Sequence, residues 1–301
     1  MNNSELSRER KEYRTGIIYI LFCQLVWGVL PVYWQFLEPI ESWKIILYRI
    51  LTMFAYSYIG ARIFYKRSEI WSQLSDMKAV GRSFAAGVVL TANWSLYIWA
   101  MNSEHVIQAS IGYFIEPIVI CGVGIIFFGE KLTRYNMCAI VFAVIAIGVI
   151  LAHHRQLPGV ALGLASTWAI YSAIKKASKT PPLIALVYET LPFAIAAMLA
   201  VVYIEIKGVG ALSVGVPVKY AALWLSGLVT VIPVTIFGYA AKKTSLLVIG
   251  LAQYISPTIT LVLGIFLFKE PFDKVHALAL SIIWVGLCFF SYGEFRSKNI
   301  D

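Results

Sequence analysis

Residues 106–130 read VIQASIGYFIEPIVICGVGIIFFGE, and residues 246–270 read LLVIGLAQYISPTITLVLGIFLFKE. Set one above the other, 140 positions apart and without a gap, they match at Ile115, Pro117, Gly124, Ile125, Phe128 and Glu130 against Ile255, Pro257, Gly264, Ile265, Phe268 and Glu270. The register extends upstream, where Gly87, Val89 and Ala100 return as Gly227, Val229 and Ala240. Apolar segments resemble one another by chance, but a proline, several glycines and a terminal glutamate kept in one register argue for an internal repeat. Both stretches are long and apolar enough to cross a bilayer. A repeat in such a chain points to two copies of one bundle rocking around a shared site near the midplane.

Of 301 residues, 59% are hydrophobic and 14% charged, and the mean hydropathy is +0.76. That is more apolar surface than a water-soluble core of this length needs. Spanning helices need about 17–25 apolar residues, and ten such windows are read at 16–36, 43–63, 80–100, 106–128, 135–152, 159–174, 182–203, 220–239, 246–268 and 275–292. The expected fold is an all-α integral membrane protein with ten transmembrane helices as two inverted five-helix repeats. Its expected parts are a cytoplasmic tail over 1–15, a first repeat over 16–152, a second over 159–292 and a cytoplasmic tail over 293–301. The inversion follows from the odd number of helices per copy, which makes the second copy enter the membrane from the opposite face. The first segment is too long for a signal-peptide core and lacks a small-residue cleavage site, so it is read as a retained helix.

A net charge of +9 raises the question of nucleic acid, but its placement answers it. With the N-terminus inside, one face collects Arg8, Arg10, Lys11, Arg14, Arg62, Lys66, Arg67, Lys78, Arg82, Lys131, Arg134, Lys175, Lys176, Lys179, Lys242, Lys243, Arg296 and Lys298, whereas the other collects only Lys44, Arg155, Lys207, Lys219, Lys269 and Lys274. This is the asymmetry of a multi-pass protein of the cell (plasma) membrane with both termini cytoplasmic. It leaves no basic surface for RNA or DNA. Cys23, Cys121, Cys138 and Cys288 fall within spans at no metal-like spacing and read as packing residues. No metal site and no cofactor are expected.

Charged and amide groups far from the membrane surface are the candidates for function, because a charge near the bilayer centre costs about 2.5–3.5 kcal/mol on insertion scales. Glu116 lies roughly 15 Å into the fourth span at 1.5 Å per residue, and Glu189 reaches a similar depth in the seventh. Arg49 sits in the outer half of the second span, where its stem can snorkel outward. Glu116 reads either as a carboxylate that contacts substrate or carries protons, or as half of a structural ion pair with Arg49. Glu189 reads as a substrate contact or a helix-to-helix hydrogen bond. Asn93 and Gln253 read as ligand-reading amides or as interhelical glue. Around them Trp94, Tyr97, Tyr113, Phe114, Trp168, Tyr171 and Tyr254 supply aromatic surface for a flat or amphipathic solute. Pro31, Pro117, Pro192, Pro233 and Pro257 remove backbone donors inside spans. Pro117 and Pro257 stand at matched depths as two hinges, with Pro31 and Pro233 as further hinge candidates.

The run Ala92, Asn93, Trp94 through Ile98, Trp99, Ala100, Met101, Asn102, then Ala109, Ser110, Ile111, Gly112, Tyr113, Phe114, Ile115, Glu116, Pro117, resembles the RarD branch of the EamA-type transporters in the drug/metabolite transporter superfamily. Tyr48 with Arg49 resembles it too, as do Gln253, Tyr254, Ile255, Ser256, Pro257 and Phe268, Lys269, Glu270. The resemblance covers essentially the whole membrane region. It implies a secondary permease with a central cavity lined mainly by the first, third, fourth, sixth, eighth and ninth spans, in a superfamily whose members export amino acids, other metabolites or drugs. Carried over by position, Asn93, Trp94, Tyr113 and Gln253 are cavity residues. Branch members commonly have asparagine before the fourth-span proline; here the residue is Glu116, which opens the hypothesis that transport is coupled to protons.

The expected function is a secondary transporter, an efflux permease for a small amphipathic metabolite or drug, working by alternating access. No phosphate-binding glycine loop is present. The alternatives are a membrane-embedded enzyme and a passive channel or sensor. The first lacks any H-E-x-x-H or G-x-S-x-G motif, so no enzymatic activity is expected. The expected partners are a small-molecule substrate and the lipid bilayer, in a monomer or a homodimer joined through the fifth or tenth span.

Overall fold

The computed structural model describes residues 3–102, 105–154, 159–267, 269 and 274–297. Among the described residues no strand occurs. The α-helices are α1 (Asn3–Phe36), α2 (Ser42–Phe64), α3 (Arg67–Ser72), α4 (Met77–Asn102), α5 (Val106–Phe128), α6 (Arg134–His154), α7 (Gly159–Ala177), α8 (Pro182–Ile206), α9 (Pro217–Lys243), α10 (Leu246–Ala252), α11 (Ile255–Phe266) and α12 (Lys274–Ser297). Among the described residues, seven stretches are long and apolar enough to cross a membrane on their own: Ser7–Phe36, Gln108–Phe128, Arg134–His153, Pro182–Ile206, Pro217–Lys243, Leu246–Phe266 and Lys274–Gly293. Helices α2, α4 and α7 fall outside that set. Each carries charges within its length, such as Arg49 in α2, Arg82 in α4 and Lys175 with Lys176 in α7. The chain is a multi-pass membrane protein.

Two boundaries differ from expectation. Residues 3–15, expected as a tail, continue α1 without a break. Ion pairs help to hold them there: Glu12 pairs with Arg8 one turn back at 3.5 Å and with Lys243 at the end of α9, also at 3.5 Å. The ninth window, expected as one helix, is broken between α10 and α11 at Gln253 and Tyr254. Pro257 explains the break: it has no N–H to offer the Gln253 carbonyl, and its ring crowds the preceding turn. Its repeat mate Pro117 lies inside a continuous α5, as Pro31 does in α1 and Pro233 in α9. The expected pair of equivalent hinges is therefore one helix break and one continuous helix.

Packing is dominated by side-to-side helix contacts. Helix α5 lies on α7 and α10, α6 on α12, α2 between α8 and α9, α1 against α9 and α11, and α4 against α7 and α8. The closest approaches fall at glycines, as in lipid, where association depends on backbone proximity. A Cβ at Gly87 would collide with the Glu189 backbone, and one at Gly227 with the backbone of Thr52 and Met53. Gly286 and Gly293 serve the α6–α12 contact, meeting Ala139 and Tyr135, where Tyr135 also packs edge-on against Tyr292 at 5.6 Å. These faces of the fifth and tenth spans are thus engaged within the chain. The outer surface keeps large apolar side chains such as Ile18, Phe22, Leu25 and Val29 of α1 and Leu199, Tyr203 and Ile206 of α8, as a lipid-facing surface requires.

Candidate functional site

The break after α10 places a polar side chain where a continuous helix would have presented an apolar wall. Gln253 is buried there. With its amide nitrogen toward Glu116, the only orientation that does not set like against like, it donates to Glu116 Oε1 at 3.1 Å and accepts from Trp168 Nε1 at 2.6 Å. A hydrogen-bonded chain therefore joins α5, the α10–α11 break and α7. Trp168 is held in turn by an aromatic group, with Trp27 at 5.5 Å, Tyr171 at 5.4 Å and Phe237 at 5.4 Å between ring centroids. Such edge and tilted contacts fix ring planes as well as bury area.

A second group lies beside it. The Arg49 guanidinium stands over the Trp94 ring at 4.3 Å and faces Trp34 at 5.4 Å. Tyr97 and Tyr113 pack ring to ring at 6.0 Å, and Tyr113 lies within electrostatic reach of both Arg49 and Glu116. Tyr113 is 44% exposed although it stands two turns inside α5, and Trp94, Tyr97, Glu116 and Arg49 also keep part of their surface accessible. The side chain of Arg49 points into the bundle, toward α1 and α4. No ion pair within 4.0 Å joins it to Glu116. The structural pair read as one alternative for these residues is absent.

Three expected ligand contacts are engaged elsewhere. Asn93 donates to the Leu164 carbonyl at 3.0 Å and to Thr167 Oγ1 at 2.8 Å, tying α4 to α7. The Tyr254 hydroxyl, fully buried, donates to the Phe114 carbonyl at 2.9 Å. That carbonyl is the neighbour of the Tyr113 carbonyl, which lies four residues before Pro117 and loses its helical donor there. Glu189 accepts from Lys175 Nζ at 2.8 Å and from the Tyr171 hydroxyl at 3.1 Å, and both charged side chains are almost completely buried. Lys175 was grouped with the basic loop residues in the sequence. The signal missed is the hairpin spacing: it lies in the last turn of α7 and Glu189 two turns into α8, so the turn between them brings the two together.

The repeated glutamate has a defined place as well. Glu130 accepts from the backbone N–H groups of Leu246 at 2.7 Å and Leu247 at 2.9 Å, and pairs with Lys176 Nζ at 3.2 Å. It is thus a carboxylate on the exposed donors of a helix start, where the helix dipole favours it. Its counterpart Glu270, with Phe268, lies outside the described residues. Among the described residues no group of three or more His, Cys, Asp or Glu is placed to hold a metal ion.

The sequence matches the EamA-like transporter family over residues 14–152 and again over 158–292, the two halves set apart by the internal repeat. It is 34% identical to an uncharacterized transporter, YojE, of Bacillus subtilis (strain 168), over 97% of this chain and 98% of that protein. It is 31% identical to the protein RarD of Streptomyces exfoliatus, over 97% and 93% of the two chains, and 28% identical to the protein RarD of Escherichia coli (strain K12), over 94% and 95%. One solved structure superposes with a TM-score of 0.69 over 91% of this chain and 96% of its own at 14% identity, which shows a common fold. With both halves matched and relatives aligned over nearly their whole length, this chain belongs to the EamA-like transporter family, on its RarD branch, and is a membrane transporter.

Proposed function

We propose that the chain is a secondary permease that exports a small amphipathic solute across the plasma membrane by alternating access, with ten membrane crossings in two inverted halves and both termini in the cytoplasm. The observation that carries this reading is an exchange rule in the helix contacts. Swapping α1 with α7, α2 with α8, α4 with α9, α5 with α10–α11 and α6 with α12 turns the α5–α7 contact into α10–α11 with α1, α4–α7 into α9–α1, and α4–α8 into α9–α2, all of them present. The contacts α2–α8, α6–α12 and α5–α10 map onto themselves. The glycine approaches follow the same rule, Gly87 meeting α8 and Gly227 meeting α2. A frame that obeys the exchange can adopt a second arrangement in which its two ends trade places. In the present arrangement one end is closed by Lys175–Glu189 and by Glu130 with Lys176 and the start of α10, while Tyr113 and its neighbours toward the other end remain accessible.

Within this reading the Glu116–Gln253–Trp168 chain and the Arg49–Trp94–Tyr97–Tyr113 group are the substrate site. Glu116 meets a neutral amide, no cation within 4.0 Å neutralises it, and it is therefore the group we assign to proton coupling. Outward direction follows the superfamily that the sequence resembles. The test is cysteine accessibility in a background lacking Cys23, Cys121, Cys138 and Cys288. Tyr113→Cys should react with a membrane-impermeant maleimide from the external face, and Ser172→Cys, fully buried behind the closed end, from the cytoplasmic face only when Tyr113→Cys is protected. Reaction at both positions from both faces at once would make the protein a channel and overturn the proposal.

A further inference from the structure

An arginine inside a membrane protein calls for a counter-charge, and among the described residues Arg49 has none. Among the described residues no carboxylate lies within 4.0 Å of it, its side chain donates no hydrogen bond, and its Nε is buried without a partner. Its neighbours are the faces of Trp94 and Trp34. Cation–π contacts offset part of the desolvation of a guanidinium, but they leave its in-plane N–H donors unused. Those donors form a flat fork whose spacing matches the two oxygens of a carboxylate. An intramembrane ionisable residue held in this condition is best explained by a partner that comes and goes.

The surroundings narrow the partner. Indole rings on α1 and α4 flank the guanidinium, and the Tyr97 and Tyr113 rings extend the aromatic surface toward Glu116. A flat apolar body attached to the carboxylate would lie against these rings, while the tyrosine hydroxyls can donate to a remaining acceptor. Glu116 is already engaged by the Gln253 amide, so the site keeps one cationic fork open for an anion.

We propose that Arg49 is the anion-recognition residue of the transport site, and that the substrate class is a small organic carboxylate with a planar, apolar body. This rests on the reading of the Arg49–Trp94–Tyr97–Tyr113 group as part of the substrate site. A bidentate pair with Arg49 would make the acid, and not its neutral analogue, the preferred ligand. The position of the carboxylate is fixed by α2 and that of the body by α1, α4 and α5.

The experiment compares acids with their amides on the purified full-length protein, using benzoate with benzamide and cinnamate with cinnamamide. Binding is read by thermal shift, because a ligand that binds the folded state raises Tm, and by tryptophan fluorescence, since Trp34 and Trp94 flank the guanidinium. At least one acid should bind ten-fold or more tightly than its amide. Arg49→Gln should bring that acid down to the level of its amide, and Arg49→Lys, which keeps charge but not the fork, should fall between. Should Arg49→Gln fail to fold, the acid-to-amide ratio in the unaltered protein and in Arg49→Lys decides. Equal binding of acid and amide, an acid preference unchanged in Arg49→Gln, or binding of a short-chain anionic phospholipid with no response to any acid would overturn the assignment. The cysteine measurement separates the two readings: switching access with equal acid and amide binding removes the anion site and leaves transport standing, whereas an acid preference with fixed access does the reverse.

Discussion

Lys175 and Glu189 form the most deeply buried ion pair among the described residues, with side chains 2% and 1% exposed. Removing one partner of such a pair leaves an uncompensated charge in low dielectric, at a cost of about 3–5 kcal/mol. Glu189→Gln should therefore lower Tm sharply in a detergent thermal-unfolding assay, and Glu189→Leu combined with Lys175→Met should recover most of the loss. A double variant as unstable as the single one would mean that the pair does more than balance charge. Glu116 is different, because its partner is the neutral Gln253 amide. If it carries the coupling proton, the balance between open and closed ends should vary with pH, and Glu116→Gln should abolish that variation. Single-cysteine accessibility of Tyr113→Cys measured across pH would check it, and an unaltered pH response in Glu116→Gln would place coupling elsewhere. Depth along each span made Glu116, Glu189, Arg49 and Gln253 visible in the sequence as residues that do not belong in lipid. What depth could not supply was the partner. Glu189 found Lys175 across a hairpin, Asn93 found α7, and Arg49 found two indoles in place of Glu116, because rotation about each helix axis and the hairpin turns decide which faces meet.

At the scale of elements, the junction between α5 and α10 is the most informative. Glu130 caps α10 through Leu246 and Leu247 and pairs with Lys176 of α7, so three elements meet at one carboxylate. A hydrogen bond to a charged group contributes about 1.5–3 kcal/mol, and about 1.4 kcal/mol changes a population ratio tenfold. Glu130→Gln should thus shift the equilibrium at least several-fold toward opening of that end, seen as faster maleimide labelling of Ser172→Cys from the same side. Unchanged labelling would mean that the contact is a static cap. The repeat in the sequence located this glutamate and its echo in register, but gave no reason for it. The reason is a helix start from the other half of the chain. The same repeat predicted matched hinges at Pro117 and Pro257, and the helices differ there: α5 is continuous past Pro117 while the second stretch breaks at Gln253 and Tyr254. Proline frees a carbonyl in both places. Near the first, the Phe114 carbonyl, next to the Tyr113 carbonyl that Pro117 leaves without its helical donor, accepts from the Tyr254 hydroxyl of the broken segment.

Across the whole molecule the sequence repeat carries over to the main helix contacts but not to the chemistry. Asn93 stands where the other half has Pro233, Tyr113 where it has Gln253, and Glu116 where it has Ser256. The main helix contacts follow the exchange of halves, although α7–α9 and α8–α9 have no comparable counterparts, and the polar groups at the centre come once each, which suits one asymmetric solute. The central claim is that the two ends open in alternation. Spin labels at Lys131 and Lys179 report on the end closed by Glu130, and labels at Glu41 and Lys274 report on the opposite end at positions that the exchange of halves brings into near correspondence. Pulsed electron–electron distance measurements on the two pairs, in lipid and with Glu130→Gln to shift the balance, test the claim most directly. Two distances are expected for each pair, with the Lys131–Lys179 distance lengthening as the Glu41–Lys274 distance shortens. A single unchanging distance at either end, or both ends lengthening together, would contradict it.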